Sequence, residues 1–162
     1  MIAASDEATS RAHGGRRRSV ARLAAVQALY QLELNPDLSG EAVVREFGRH
    51  RLGREIDGEH YGEADEAMFA DIVGGVVANR DELDAQISAA LVDDWPLARL
   101  ETVLRAVLRA AAYELAHRPD VPPRVTIREY GTIAHAFFTG KEPGLVIGVL
   151  DHLARNLRPA DL

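Results

Sequence analysis

Apolar residues recur every three or four positions along most of the chain, and the breaks in that rhythm mark out helices. From Arg16 onward, Val20, Leu23, Val26, Tyr30 and Leu34 fall on one side of a helix. Asn35-Pro36-Asp37 ends it, because proline cannot continue the hydrogen-bond ladder and biases its predecessor away from helical angles. Ser39 has the form of a cap for a second helix carrying Val43, Val44 and Phe47. Residues 48 to 63 hold four glycines among alternating charges, the composition of a loop. Met68, Phe69, Ile72, Val73, Val76 and Val77 make the next amphipathic stripe, and Leu83, Ile87 and Leu91 carry helical spacing on toward Trp95-Pro96. Pro96 suits the first turn of a further helix. In it Leu97, Leu100, Leu104, Val107, Leu108, Ala111 and Leu115 run without glycine or proline as far as Arg118-Pro119. After the stiff Val121-Pro122-Pro123 connector, Thr126 with Glu129 three residues on has the form of a capping box ahead of Ile127, Tyr130, Ile133, Ala134 and Phe137. Pro143 opens a last segment containing Leu145, Val146, Val149, Leu150, Leu153 and Leu157. No alternating strand pattern interrupts this series, so the expected class is all-α with six or seven helices.

Residues 1–15 lack apolar periodicity and end in Gly14-Gly15, which predicts a flexible tail ahead of a single helical domain over 16–162. A chain of 162 residues is long enough to bury one core. There is no cysteine, which excludes disulfides, thiolate nucleophiles and cysteine metal sites. The apolar runs fall well short of the roughly 20 residues that span a bilayer, and the first ten residues are polar and acidic where a secretory signal is basic and then apolar. A cytoplasmic protein with no membrane partner is expected.

Charge adds the first pointer to function. Arg11, Arg16, Arg17, Arg18 and Arg22 give residues 11–22 a local +5 against a chain total of −6, so a basic segment is attached to an acidic body. An acidic body repels polyanions, and attraction to one must come mainly from the basic end. Three readings fit such a cluster. It is a solvated tail, a membrane-surface contact, or a phosphate site on a helix; Arg18 and Arg22, four apart at a helix entrance, share a face and favour the last. Arginine also stacks on exposed bases and makes forked bonds to phosphate, as single-stranded RNA requires.

Enzymatic signatures are missing. His13, His50, His60, His117, His135 and His152 include no pair with metal-binding helix spacing, and no serine sits in a nucleophile-elbow context. Gly74-Gly75, inside an apolar helix, lacks the phosphate-loop pattern and reads as close helix packing. No catalytic residue, metal or cofactor is indicated.

Three stretches carry a family likeness: RRRSVARLAAVQALYQLEL from Arg16 to Leu34, AVLRAAAYELAHRPDVPPRVTI from Ala106 to Ile127, and VIGVLDHLARNLRP from Val146 to Pro159. They resemble, in the same order, the arginine-rich V-Q-A-L-Y opening, the A-V-L-R…Y-E-L…V-P segment and the G-V-L-D…R-P ending of the NusB family of transcription antitermination factors. The resemblance implies two packed helical sub-bundles, about 16–80 and 81–162. It also implies binding of boxA-like single-stranded RNA together with NusE, a ribosomal small-subunit protein, within the RNA polymerase antitermination complex on ribosomal RNA genes. The RNA contacts it implies are Arg16, Arg17, Arg18, Arg22, Tyr30 and Phe137, although Tyr30 and Phe137 equally suit the core. The family module also opens ribosomal RNA methyltransferases, but no glycine-rich cofactor strand is present here.

The chain departs from the family pattern in places. Leu145 and Ile147 stand where the family's F-V-N-G-V-L-D has an aromatic and an amide, Arg128 replaces the asparagine of I-N-E-A, and Leu104 stands where many members carry an acid thought to meet NusE. Leu104, Leu145 and Ile147, if exposed, form an apolar contact patch. That is the basis of the alternative function, protein association with itself as a homodimer or with another partner, RNA being secondary.

Overall fold

A computed structural model describes residues 2–50, 55–56, 59–60, 64–91 and 96–162, with side chains over 14–48, 64–91 and 96–162. Helix α1 spans Ile2–Leu34, α2 Gly40–His50, α3 Glu66–Ala78, α4 Arg80–Ala90, α5 Thr102–His117, α6 Pro123–Phe137 and α7 Glu142–Leu157. The fold class is all-α. Between α2 and α3 lies one antiparallel pair of two-residue strands, β1 (Glu55–Ile56) and β2 (Glu59–His60), in the stretch expected to be loop. Among the described residues no helix is long and apolar enough to cross a membrane.

α5 is the axis of the structure. Leu104, Val107, Leu108, Ala110, Ala111, Ala112 and Leu115 are all buried, and α1, α3, α4, α6 and α7 pack around them. Every residue from Ala106 to Leu115 is buried, which puts this helix in the middle of the core. Its two buried charged residues, Arg109 and Glu114, therefore need partners. Arg109 is bonded by Asp84 of α4 at 2.8 Å and by Glu33 of α1 at 3.3 Å, and Glu33 also accepts from Arg105 at 2.6 Å. α1 contributes Ala21, Ala25, Val26, Ala28 and Leu29, small enough along one side for close approach to α3 and α5.

The helix ends show where sequence signals act. Ser39 caps α2 as expected, its Oγ accepting from the Ala42 N–H at 3.1 Å. Asp65 caps α3 by accepting from the Met68 N–H at 3.0 Å, and its own N–H donates to the Arg17 carbonyl at 3.1 Å, tying that cap to α1. Asn79 ends α3: its side-chain amide donates to the Gly75 carbonyl at 2.8 Å, so the stripe from Met68 to Leu91 is two helices.

Two expectations are corrected. The helix expected from Pro96 is a 3-10 turn, Leu97–Arg99, followed by extended Leu100 and Glu101 before α5 begins. Leu97 and Leu100 still reach the core, because three-residue spacing is met by either conformation. Thr126 and Glu129 form no capping box. α6 starts three residues earlier, at Pro123, whose missing donor suits the first turn, which leaves Thr126 buried inside the helix. The backbone of α1 is helical from Ile2, through the 1–15 segment read as a tail; its alanines, glutamate and arginine are good helix formers, and extending a helix is far easier than nucleating one.

Candidate nucleic-acid interface

Arg16 and Arg18 are exposed on α1, and Arg17 is half-buried. The α1 backbone here is held against α6. The Ser19 hydroxyl lies 3.0 Å from both carboxylate oxygens of Glu129 and 3.1 Å from the Gly15 carbonyl, so its one proton is shared among them. Arg18 stands close enough to Asp120, in the α5–α6 connector, for its charge to be one of the smaller influences holding that carboxyl below its ordinary range. The largest is the hydrogen bond from Arg118.

Arg22 is not part of this surface, which corrects the sequence expectation. It does share a helical face with Arg18, but at Arg22 that face passes beneath α5 and α6. Its side chain is 2% exposed and that of Glu114 is 0%. Arg22 Nε donates to Glu114 Oε2 at 3.0 Å and Nη2 to Oε1 at 3.1 Å, while Nη1 faces Glu129 at 3.6 Å. Burial works against the guanidinium charge, but the hydrogen bond and attraction of Glu114 outweigh it, so the Arg22 pKa is raised. Tyr130 lies beside this pair with its own pKa pushed well up, by burial first and by the charge of Glu114 second. Arg22 is an internal tie between α1 and α5.

Tyr30 and Phe137 meet in one place. Both line an open groove of about 490 Å³ whose walls include Val26, Gln27, Gln31 and Val103. Tyr30 is 37% exposed and Phe137 42%, so each offers ring surface to solvent, while neighbouring Phe138 takes the inward position against the core. Such a groove supplies what an unstacked base needs: aromatic faces to lie against, and the Gln27 and Gln31 amides to meet its polar edge.

The three partner candidates do not form a common patch. Leu104 is 1% exposed on the buried side of α5, and Leu145 is half-buried against the core. Ile147 alone is exposed, and it lies over Gly131 of α6, where an added Cβ would come within 3.2 Å of it. Gly75, by contrast, serves the close packing expected of it. An added Cβ there would fall 2.1 Å from the ring of Tyr113, whose hydroxyl donates to Asp71 at 2.8 Å. The Tyr113 pKa is pushed up to about 12, by burial first and by that bond second.

Two features escaped the sequence reading. A groove of about 720 Å³ between α2 and α3 is floored by Val44 and Val77; Val77 gave no signal of exposure because it continues the apolar stripe. Arg124 and Arg128 stand exposed on α6, four residues apart, a spacing visible in the sequence.

A sequence profile of the NusB family matches residues 19–155. The transcription antitermination protein NusB of Caulobacter vibrioides is 51% identical over 141 residues, covering 87% of this chain and 94% of that protein. The protein of the same description from Sinorhizobium fredii is 52% identical, covering 87% and 88%. Among solved structures, T. maritima NusB superposes with a TM-score of 0.73 at 32% identity over 90% of this chain and 94% of that one. A crystal structure of the antitermination factors NusB and NusE in complex with dsRNA shares the fold, with a TM-score of 0.70 at 22% identity over 87% and 98%.

Proposed function

The chain belongs to the NusB family, and on that premise we propose that it is a non-enzymatic transcription antitermination factor that binds boxA-like single-stranded RNA together with NusE. It works in the cytoplasm, in the RNA polymerase complex that transcribes ribosomal RNA. Residues 16–162 act as one domain, and its sub-bundles, about 16–80 and 81–162, are joined through the α1–α5 contact.

The observation that supports the RNA site most directly is the convergence of Tyr30 and Phe137 on one open groove. Arg16, Arg17 and Arg18 belong to the same helix, about three turns before Tyr30. Arginines hold the backbone and rings take a base, which is the division of labour that single-strand binding calls for. Arg22 contributes indirectly, by fixing the helix that carries the others. The association reading has less support, since Leu104 and Leu145 are turned into the fold.

Fluorescence anisotropy with a short boxA-like RNA tests this. Tyr30→Ala and Phe137→Ala each remove one stacking surface and should weaken binding by about 1–3 kcal/mol, roughly 5-fold to 160-fold. Arg16→Ala with Arg18→Ala should flatten the salt dependence. RNA binding indifferent to all four substitutions would refute the site.

A further inference from the structure

Six arginines are spent on carboxylates: Arg22, Arg105, Arg109, Arg118, Arg155 and Arg158 each bond to one at 3.0 Å or less. Arg124 and Arg128 on α6 are not. Both are exposed, and neither has a carboxylate within ion-pair distance among the described residues. With Thr132 and His135, also exposed, they recur at spacings of four, four and three, which makes one stripe along the solvent side of α6.

The position of that stripe gives it meaning. α1 and α6 run side by side in the same direction, because Ser19 meets Glu129 and, further along both helices, Tyr30 meets Phe137. Arg128 precedes Glu129 and so stands level with Ser19. Arg124 is about 6 Å further back, level with the arginine segment of α1. Arg124 and Arg128, on the outer face of α6, and the arginine segment of α1 therefore stand at the same end of the two helices, at the start of a seam that ends in the aromatic groove. The carboxylate on the seam, Glu129, is already bonded by Ser19 and faced by Arg22 at 3.6 Å, so its repulsion of a polyanion is muted.

We propose that Arg124 and Arg128 are a second set of phosphate contacts, and that a single RNA strand passes both sets of arginines and lies along the α1–α6 seam before its base enters the Tyr30–Phe137 groove. From Arg18 to Tyr30 the seam runs about 18 Å, room for roughly five nucleotides at a stacked spacing of about 3.4 Å. This deepens the RNA reading above and rests on it.

Binding of a fluorescein-labelled boxA-like single-stranded RNA by the full chain, measured from about 50 to 200 mM salt, tests the assignment. For a single strand, every phosphate that the protein no longer neutralises lowers the slope of log K against log salt by about 0.7. The double variant Arg124→Ala/Arg128→Ala should thus flatten the slope by about 1.4 while its thermal melt stays that of the wild type, and Arg128→Lys should keep the slope. An unchanged slope in that double variant, with or without weaker binding, overturns the assignment, and if Arg16→Ala/Arg18→Ala still flattens it, the RNA site itself stands. A wild-type chain with no salt-dependent RNA binding overturns both.

Discussion

Replacing Arg22 separates a structural arginine from a ligand-binding one. Arg22→Met removes the guanidinium from a pair whose side chains are 2% and 0% exposed, and leaves the Glu114 carboxylate buried without a counter-charge. Breaking a buried pair in this way costs about 3–5 kcal/mol. In a chain of this size each kcal/mol moves the melting temperature by about 2–4 °C, so the midpoint should fall by about 6–20 °C. Arg22→Met with Glu114→Leu removes both charges, and most of that loss should return, since a buried pair replaced by apolar side chains is often no less stable. Circular dichroism melts of the wild type, the single variant and the double variant measure this. RNA affinity measured well below the melting range should change by less than about twofold in the folded single variant, far below the effect of losing a stacking ring. A single variant that melts like the wild type but no longer binds RNA would refute the reasoning, because it would place the guanidinium on the ligand.

Two further predictions concern the α3–α5 contact. Gly75→Ala places a Cβ 2.1 Å from the Tyr113 ring and should cost about 1–3 kcal/mol in urea unfolding. The loss should shrink when Tyr113→Ala is combined with it; strict additivity would show that the ring is not the obstacle. Tyr113 also sets an alkaline limit. Its folded pKa, about 12, is above the ordinary 10, so its stabilising contribution is complete below pH 10 and is lost as pH rises through 12. The urea midpoint of the wild type relative to Tyr113→Phe should therefore decline between pH 10 and 12, and a constant difference across that window would contradict the assignment.

What was legible in the sequence depended on how far a residue's surroundings lie along the chain. The helices of the core could be read from periodicity because each apolar stripe reports its own burial, and Ser39 could be read as a cap because its acceptor and donor are three residues apart. Arg22 could not, since Glu114 lies 92 residues away and nothing local distinguishes an inward guanidinium from an outward one. Thr126 and Glu129 had the spacing of a capping box, but Pro122-Pro123 had already begun the helix, and Glu129 was taken by Ser19 from another element. Tyr30 and Phe137 were singled out by family resemblance. Periodicity alone put Tyr30 on the apolar stripe, and only the packing of α6 beside α1 distinguishes a groove wall from a core residue. Gly74-Gly75 signalled close packing correctly, yet the ring that needs the space at Gly75 belongs to α5.

The groove between Tyr30 and Phe137 also bears on the order in which the protein is made. One wall is synthesised near the start of the chain and the other more than a hundred residues later, and the Ser19–Glu129 contact that aligns the two helices spans 110 positions. A polypeptide still emerging from the ribosome carries its arginines early, as a bare polycation able to hold any phosphate backbone loosely. It acquires the aromatic cleft only when α6 has been completed and docked. On the proposed function, selective RNA recognition is thus tied to completion of the fold, and a truncated or half-folded copy would retain charge without discrimination.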